Sequence, residues 1–299
     1  MNAEATPITT TNARPIARFM SVPFAGKRAV VTLCSAPLVS SVPHTLRWST
    51  VALTAWMGVS AFSGCKRVSL TPSEIRVAAA SDLTLALGVL APRFEKKTGE
   101  KVIVSFGASG ALAEQIAHGA PFDLFAAADR APVDSVVKAG ACVSGTERPY
   151  ALGQLVLVVR DGITLPPSFG ALGAEAFKRI AIANPDHAPY GRAAKEALSA
   201  SGLIEHVQSK LVFGSNVQQT LEFVRTGNAD AALVARSLMK KGDSFLMVDR
   251  HLHSPLAQTL VECSGGRAKE KARSFAEFLL SEEARAVLRE SGFEIPEAR

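Results

Sequence analysis

The chain has 299 residues, 47% hydrophobic and 20% charged, a composition that favours one large or two medium folded domains over disorder. Its net charge of +6 is uneven, because residues 1–64 hold five Lys or Arg and one acid (+4), which leaves 6 − 4 = +2 for residues 65–299. A nearly neutral main part with scattered cations argues against nucleic-acid binding, which requires concentrated positive charge.

The first 64 residues have the features of an export leader. Residues 1–48 are rich in Pro, Thr and Ser, and we expect them to be disordered. Arg47 then precedes an uncharged apolar run over residues 49–64, which is shorter than the roughly 20 residues of a membrane-spanning helix. Phe62-Ser-Gly-Cys65 resembles a lipobox with Cys65 as the lipidated residue, although Phe62 stands where an aliphatic residue is usual. An ordinary cleaved signal is the alternative.

From Ile75 onward, strand and helix patterns alternate. The first half predicts strands over 75–80, 102–106 and 122–126, a helix from 83 that stops at Gly99, and helices over 111–118 and 131–139. The second half predicts strands over 152–159, 180–183, 211–213, 230–235 and 256–261, and helices over 192–200, 217–226, 268–280 and 282–290. Short, uniformly apolar strands between helices indicate an α/β fold with mainly parallel sheets covered by helices on both faces.

Small or hydroxyl residues stand at four places where a helix is expected to begin. They are Ala80-Ser-Asp82, Gly107-Ala-Ser-Gly110, Pro189-Tyr-Gly-Arg192 and Gly214-Ser-Asn-Val217. In open α/β sheets ligands lie at the carboxyl ends of strands, where helix N-termini offer free N–H groups and a partial positive charge. Each junction alone is typical of ordinary capping, but four together favour an anion site.

Enzyme signatures are missing from the sequence. It contains no Gly-x-Ser-x-Gly elbow, phosphate-binding P-loop or Gly-x-Gly-x-x-Gly fingerprint. His251 and His253 are interpreted as surface-loop residues, and Asp123 and Asp129 as turn or cap residues. We therefore expect no catalytic residue and no cofactor. Cys142 and Cys263 are either disulfide partners in an oxidising compartment or two separate buried thiols.

Six ordered sequence blocks resemble the periplasmic molybdate-binding proteins of molybdate ABC transporters. The blocks begin with Ala78-Ala-Ala-Ser81, Ser105-Phe-Gly-Ala-Ser-Gly-Ala-Leu-Ala-Glu-Gln-Ile116 and Gly119-Ala-Pro-Phe-Asp-Leu-Phe-Ala-Ala-Ala-Asp129. They continue with Ala183-Asn-Pro-Asp-His-Ala-Pro-Tyr-Gly-Arg-Ala-Ala194, Asn216-Val217 with Gln219-Thr-Leu221, and Gly227-Asn-Ala-Asp230. The resemblance covers essentially everything after the leader.

This resemblance implies a two-lobed binding protein that holds a tetrahedral oxyanion, molybdate or tungstate, in the cleft between its lobes. Ser81 and Ser109 would donate hydrogen bonds from the first lobe, with the N–H of Asp82 added. The N–H groups of Tyr190 and Val217 would donate from the second lobe. Some members of the family also use a tyrosine in the strand that corresponds to 231–237, but this chain has Leu233-Val-Ala235 there.

The resemblance also implies a division of the chain and its partners. The leader would be 1–64, the first lobe 70–150 plus 256–299, and the second lobe 151–255, with crossings near Tyr150 and Ser254-Pro255. Both cysteines would then lie in the first lobe. A monomer that delivers its anion to an inner-membrane ABC permease is expected, whereas the alternatives are a sulfate-type receptor of the same fold, an enzyme on a similar scaffold, or a cytoplasmic regulator.

Overall fold

A computed structural model describes residues 74–296 of the chain. The predicted export leader, its disorder and Cys65 lie outside this range. In the described range no helix is long and apolar enough to cross a membrane.

Residues 74–296 contain ten strands, which form two sheets of five. In chain order they are β1 (Ile75–Ala80), β2 (Val102–Gly107), β3 (Leu124–Ala127), β4 (Arg148–Gly153), β5 (Leu155–Val159), β6 (Ile180–Ala183), β7 (Leu211–Gly214), β8 (Ala231–Ala235), β9 (Leu246–Met247) and β10 (Leu256–Glu262). The first sheet has the order β2-β1-β3-β10-β4, and the second has the order β7-β6-β8-β5-β9. Each sheet is the centre of one lobe.

The predicted single strand over 152–159 is wrong. These residues are mostly apolar, but Gln154 interrupts them: β4 pairs with β10 as far as Gly153, and β5 pairs with β8 from Leu155 onward. The chain therefore changes sheets at Gln154, a few residues after the crossing expected near Tyr150. Ala151 is buried in the core of the first sheet and Leu155 in that of the second. An apolar run by itself does not reveal which of two sheets a residue joins.

The α/β class is confirmed, but the sheets are mixed rather than mainly parallel. β1 is parallel to β2 and β3, and β6 is parallel to β7 and β8. In contrast, β10 is antiparallel to β3 and β4, and β5 is antiparallel to β8 and β9. The antiparallel pairings between strands involve β5 or β10, the strands that follow the two crossings between sheets, because these strands enter their sheets without a crossover helix.

Eight α-helices in the described residues cover the sheets. They are α1 (Thr84–Thr98), α2 (Ser109–Ala117), α3 (Arg130–Lys138), α4 (Pro189–Ala200), α5 (Ile204–Val207), α6 (Val217–Arg225), α7 (Lys269–Leu280) and α8 (Glu282–Glu290). α2 and α4 begin two and three residues earlier than predicted. Pro189 is the first residue of α4, a position that suits proline because its N–H is not needed there. Gly99 ends α1 with φ +73°, as its position predicted.

Aliphatic and aromatic side chains form a hydrophobic core in each lobe. Phe94 and Phe275 pack edge to face, 5.0 Å between ring centres, beneath the first sheet. On the other face of that sheet, Cys142 and Cys263 are joined by a disulfide and are both buried. The bridge ties the segment after α3 to the end of β10.

Candidate functional site

All five predicted ligand residues line one small cavity between the two lobes. Its walls comprise Ala80, Ser81, Asp82, Gly107, Ala108, Ser109, Ala128, Ala188, Pro189, Tyr190 and Val217. They come from the carboxyl ends of β1, β2, β3, β6 and β7 and the turns that follow. Sequence patterns marked four of these segments, but not Ala128, which follows β3 and bears no polar side chain.

Three α-helices and one short 3₁₀ turn begin at the cavity. Ser81–Leu83 form the 3₁₀ turn that leads into α1, and α2, α4 and α6 begin at Ser109, Pro189 and Val217. The first N–H groups of a helix have no partner within it, and they carry the positive end of the helix dipole. Their convergence from both lobes makes the cavity suitable for an anion.

Ser109 is fully buried, and its hydroxyl is oriented by the backbone of the neighbouring strand. The N–H of Ala128 donates to Ser109 Oγ at 3.0 Å. Because this bond uses a lone pair of the oxygen, it leaves the hydroxyl hydrogen available to a ligand in the cavity. Ser109 is thus the first residue of α2 with a hydroxyl donor beside its backbone, whereas the sequence placed it in a turn before the helix.

At the junction Ala80-Ser-Asp82, whose composition is typical of capping, neither Ser81 nor Asp82 caps α1 with its side chain. The hydroxyl of Thr84 donates to the carbonyl of Ser81 at 2.7 Å, which closes the turn. Ser81 is buried at the cavity wall, 3% exposed.

The carboxyl of Asp82 is buried and hydrogen-bonds to another residue of the first lobe. Its Oδ2 accepts a hydrogen bond from Gln258 Nε2 at 2.6 Å. Burial raises the pKa of this carboxyl to about 6, although the nearby Tyr190 hydroxyl and Gln258 act in the opposite direction. Asp82 Oδ1 and Tyr190 Oη are both buried without a hydrogen-bond partner, although the two side chains are neighbours.

Tyr190 and Val217 bring backbone N–H groups from the second lobe. Tyr190 is the second residue of α4, and burial raises the pKa of its phenol well above the usual value, which keeps it neutral. Val217 is the first residue of α6, whose cap Asn216 accepts hydrogen bonds from the N–H groups of Gln218 and Gln219, both at 3.0 Å. The cap therefore leaves the N–H of Val217 for the cavity.

The cavity wall contains no Lys, Arg or His side chain among the residues described. Its donors are hydroxyl and backbone N–H groups, which are neutral. A larger cavity of about 440 Å³ lies at the crossings between sheets, with walls that include Leu152, Met247, His251 and His253. It lacks the convergent helix starts, so we assign the function to the smaller one.

Sequence reasoning missed two features of this region. Gln258, at the centre of the apolar strand β10, is fully buried and bonds to Asp82, and Tyr150 donates to its side chain at 3.2 Å. A glutamine within an apolar strand was the available signal. Asp129, expected to be a turn or cap residue, precedes α3 without capping it and instead pairs with Arg192 of the second lobe.

Two α/β lobes that contribute helix starts to one shared cavity define a two-lobed solute-binding protein. The sequence model for bacterial extracellular solute-binding proteins matches residues 75–294. The molybdate-binding protein ModA of Azotobacter vinelandii is 38% identical over 226 residues, 74% of this chain and 90% of that protein. The putative ABC transporter substrate-binding lipoprotein YvgL of Bacillus subtilis is 32% identical over 252 residues, 81% and 95% respectively.

The solved structure of the Azotobacter vinelandii periplasmic molybdate-binding protein has the same fold. It matches with a TM-score of 0.71 and 29% identity, covering 75% of this chain and 100% of that one. The chain belongs to the family of bacterial extracellular solute-binding proteins. The resemblance found in the sequence is confirmed, and the chain is a solute-binding protein rather than an enzyme.

Proposed function

We propose that the chain is an exported receptor that captures molybdate or tungstate and delivers it to an ABC permease of the inner membrane. The observation that carries this proposal is the convergence of four element starts and the Ser109 hydroxyl on one cavity without a cationic side chain. Relatives that match most of this chain are named as molybdate-binding proteins, which supports this choice of anion.

The ligands in this proposal are Ser81 and Ser109 through hydroxyl and backbone donors, and Asp82, Tyr190 and Val217 through backbone N–H groups. Hydrogen bonds to a charged acceptor contribute roughly 1.5–3 kcal/mol each, so a few neutral donors can hold a dianion. A site without a buried cation also releases its cargo readily, because no countercharge is left unpaired.

The position of the Asp82 carboxyl favours a fully ionised anion over phosphate. A protonated phosphate oxygen needs an acceptor in the cavity. The carboxyl in the cavity wall, that of Asp82, lies in the interior of the first lobe, where its Oδ2 accepts from Gln258 and the Tyr190 hydroxyl is its other polar neighbour. Molybdate and tungstate at neutral pH carry no proton that requires such an acceptor.

The receptor is proposed to act by closure of two lobes about the crossings at Gln154 and Ser254-Pro255. The first lobe comprises the first sheet with its helices, and the second lobe comprises the second sheet with its helices. Two short crossings permit a hinge motion that opens the cavity to solvent. We expect the receptor to act as a monomer without nucleic-acid contacts, since the residues after 64 carry a net charge of only +2 (6 − 4).

Attachment through a lipid on Cys65 is part of the same proposal. The lipobox-like Phe62-Ser-Gly-Cys65 supports it, and one relative is named as a substrate-binding lipoprotein. Mass spectrometry of the protein purified from membranes should show a diacylglyceryl group on Cys65. A soluble protein that begins at Cys65 and carries no lipid there would contradict the proposed attachment.

Isothermal titration calorimetry with four anions tests the function. We expect molybdate and tungstate to bind much more tightly than sulfate or phosphate at the same pH and ionic strength. If sulfate bound tightly and molybdate did not bind, the chain would be the sulfate-type receptor of the alternative. Heat from none of the four would contradict oxyanion capture.

A further inference from the structure

Around the cavity, the two lobes meet through several direct contacts. The Ser237 hydroxyl of the second lobe donates to the carbonyl of Asp82 at 2.8 Å, and Thr84 Oγ1 lies 3.0 Å from Gln218 Oε1.

Two further contacts join the segments around Ser109 and Tyr190. The N–H of Gly110 donates to the carbonyl of His187 at 2.8 Å, which joins the start of α2 to the segment before α4. Arg192 of α4 forms an ion pair with Asp129 of the first lobe. Gly110 follows the ligand Ser109, and His187 and Arg192 stand on either side of Tyr190. These contacts therefore flank the proposed ligands.

At Gly110 the two backbones approach so closely that no side chain fits. A Cβ placed on Gly110 would lie 2.6 Å from the carbonyl oxygen of His187, a distance that real Cβ atoms essentially never show. Gly110 is a helical residue without a positive φ, so its own backbone conformation accepts alanine. All atoms that the added Cβ would meet most closely belong to His187 of the other lobe. An alanine would thus obstruct only the contact between lobes.

The Asp129–Arg192 ion pair responds to closure for an electrostatic reason. The Asp129 side chain is 17% exposed and that of Arg192 is 35% exposed, so the pair is partly withdrawn from water. Asp129 Oδ1 is buried without a hydrogen-bond partner, and burial raises the pKa of this carboxyl despite the opposing effect of Arg192. Without Arg192 the Asp129 charge would be poorly compensated when the lobes are closed, whereas opening the lobes would hydrate it.

We propose that Gly110 and the Asp129–Arg192 pair are positioning residues that set how closely the lobes shut on the anion. Backbone contact at Gly110 and His187 is the limit of closure, and the ion pair holds the lobes at that limit. The distance between the lobes in the closed state decides whether N–H and hydroxyl donors from both lobes reach one anion at once. It therefore determines the affinity for the anion and the size of anion that is accepted. This inference rests on the proposed capture of an oxyanion.

The first test substitutes Gly110 by alanine in the full chain, with Gly88→Ala as the matched control. Gly88 is an exposed residue of α1, and a Cβ there meets no atom within 4 Å. By calorimetry with molybdate we expect Gly110→Ala to raise Kd at least tenfold and Gly88→Ala to leave it unchanged. Small-angle X-ray scattering should show that saturating molybdate reduces the radius of gyration of wild type and Gly88→Ala, but much less that of Gly110→Ala.

The second test removes the ion pair with Arg192→Gln, and the control is Lys195→Gln. Lys195 is an exposed residue of the same helix, so its loss changes the net charge equally without breaking the pair. Arg192→Gln should raise Kd about tenfold and reduce the dependence of Kd on salt, while Lys195→Gln should alter neither. Equal losses in both variants would indicate general attraction of the anion and would overturn the role of the pair.

The outcomes separate this inference from the proposed function. Wild-type protein that binds none of the four anions contradicts the function itself. If wild type binds molybdate and Gly110→Ala binds it equally well, the inference is overturned and the proposed function is left intact. Gly110→Ala that unfolds at a lower urea concentration than wild type without ligand would also overturn it, because the added methyl would then clash within a lobe.

Discussion

Replacement of Ser109 by alanine tests the assignment of the central hydroxyl donor. The substitution removes one hydrogen bond to a charged acceptor, which contributes roughly 1.5–3 kcal/mol and corresponds to about a 10- to 150-fold rise in Kd for molybdate. It also removes the acceptor of the Ala128 N–H, which the structure places 3.0 Å from Ser109 Oγ.

The two losses appear in different measurements. The Ala128 bond lies within the first lobe and exists with or without ligand, so its loss lowers the free energy of unfolding, by about 1–3 kcal/mol for a buried N–H left unpaired. The ligand bond exists only in the complex, so its loss raises Kd. Calorimetry gives the Kd, and urea unfolding of the ligand-free protein gives the stability.

Ser105→Ala is the matched control, because Ser105 lies exposed on β2, and the same atom is removed away from the cavity. We expect its Kd and stability to equal those of wild type within experimental error. A Ser109→Ala variant with lower stability but a Kd within twofold of wild type would refute the ligand role of Ser109. It would leave only its structural bond to Ala128.

Two further predictions concern buried groups. Burial raises the pKa of Asp82 from 3.8 to about 6, so folding stabilises the protonated carboxyl. This contribution is fully present below pH 4 and is lost as the pH rises through 6, by roughly 3 kcal/mol. Urea unfolding between pH 4 and 7 should show this loss in wild type relative to Asp82→Asn, and a pH-independent difference between the two would contradict it. The Cys142–Cys263 disulfide closes a loop of 121 residues, so replacing both cysteines by alanine should lower the free energy of unfolding by about 2–4 kcal/mol. Reductant should bring wild type to the same value, and an unchanged unfolding curve would show that the bridge contributes nothing.

Most secondary structure followed from short-range patterns. Alternation of apolar strands with helical spacing located β1 without error, and Gly99 marked the end of α1 because a left-handed residue there favours glycine. Helix starts were less accurate: α4 begins at Pro189, although the loop-like composition of its first turn suggested a later start. The change of sheets at Gln154 was misplaced because the apolar residues before and after it were interpreted as one strand, although β4 pairs with β10 and β5 pairs with β8.

The candidate ligands Ser81, Asp82, Ser109, Tyr190 and Val217 could be named from sequence, because each stands where an element begins and matches a family motif. The hydrogen-bond partners of their side chains could not be predicted from sequence. The bond from Ala128 to Ser109 joins residues 19 positions apart, and the bond from Gln258 to Asp82 joins residues 176 apart. Similarly, Asp129 was expected to be a turn or cap residue, and the pairing with Arg192 depends on the approach of the second lobe.

The sequence by itself determined the order of most strands and helices, the four junctions at which elements begin and the family, since these depend on local periodicity, capping and short motifs. The tertiary structure alone decided that these starts meet at one cavity, that the Asp82 carboxyl is buried against Gln258, that the two cysteines pair, and that the lobes touch at Gly110. Each of these is a contact between distant parts of the chain. Such contacts depend on how whole sheets and helices pack, and no local pattern of residues encodes that packing.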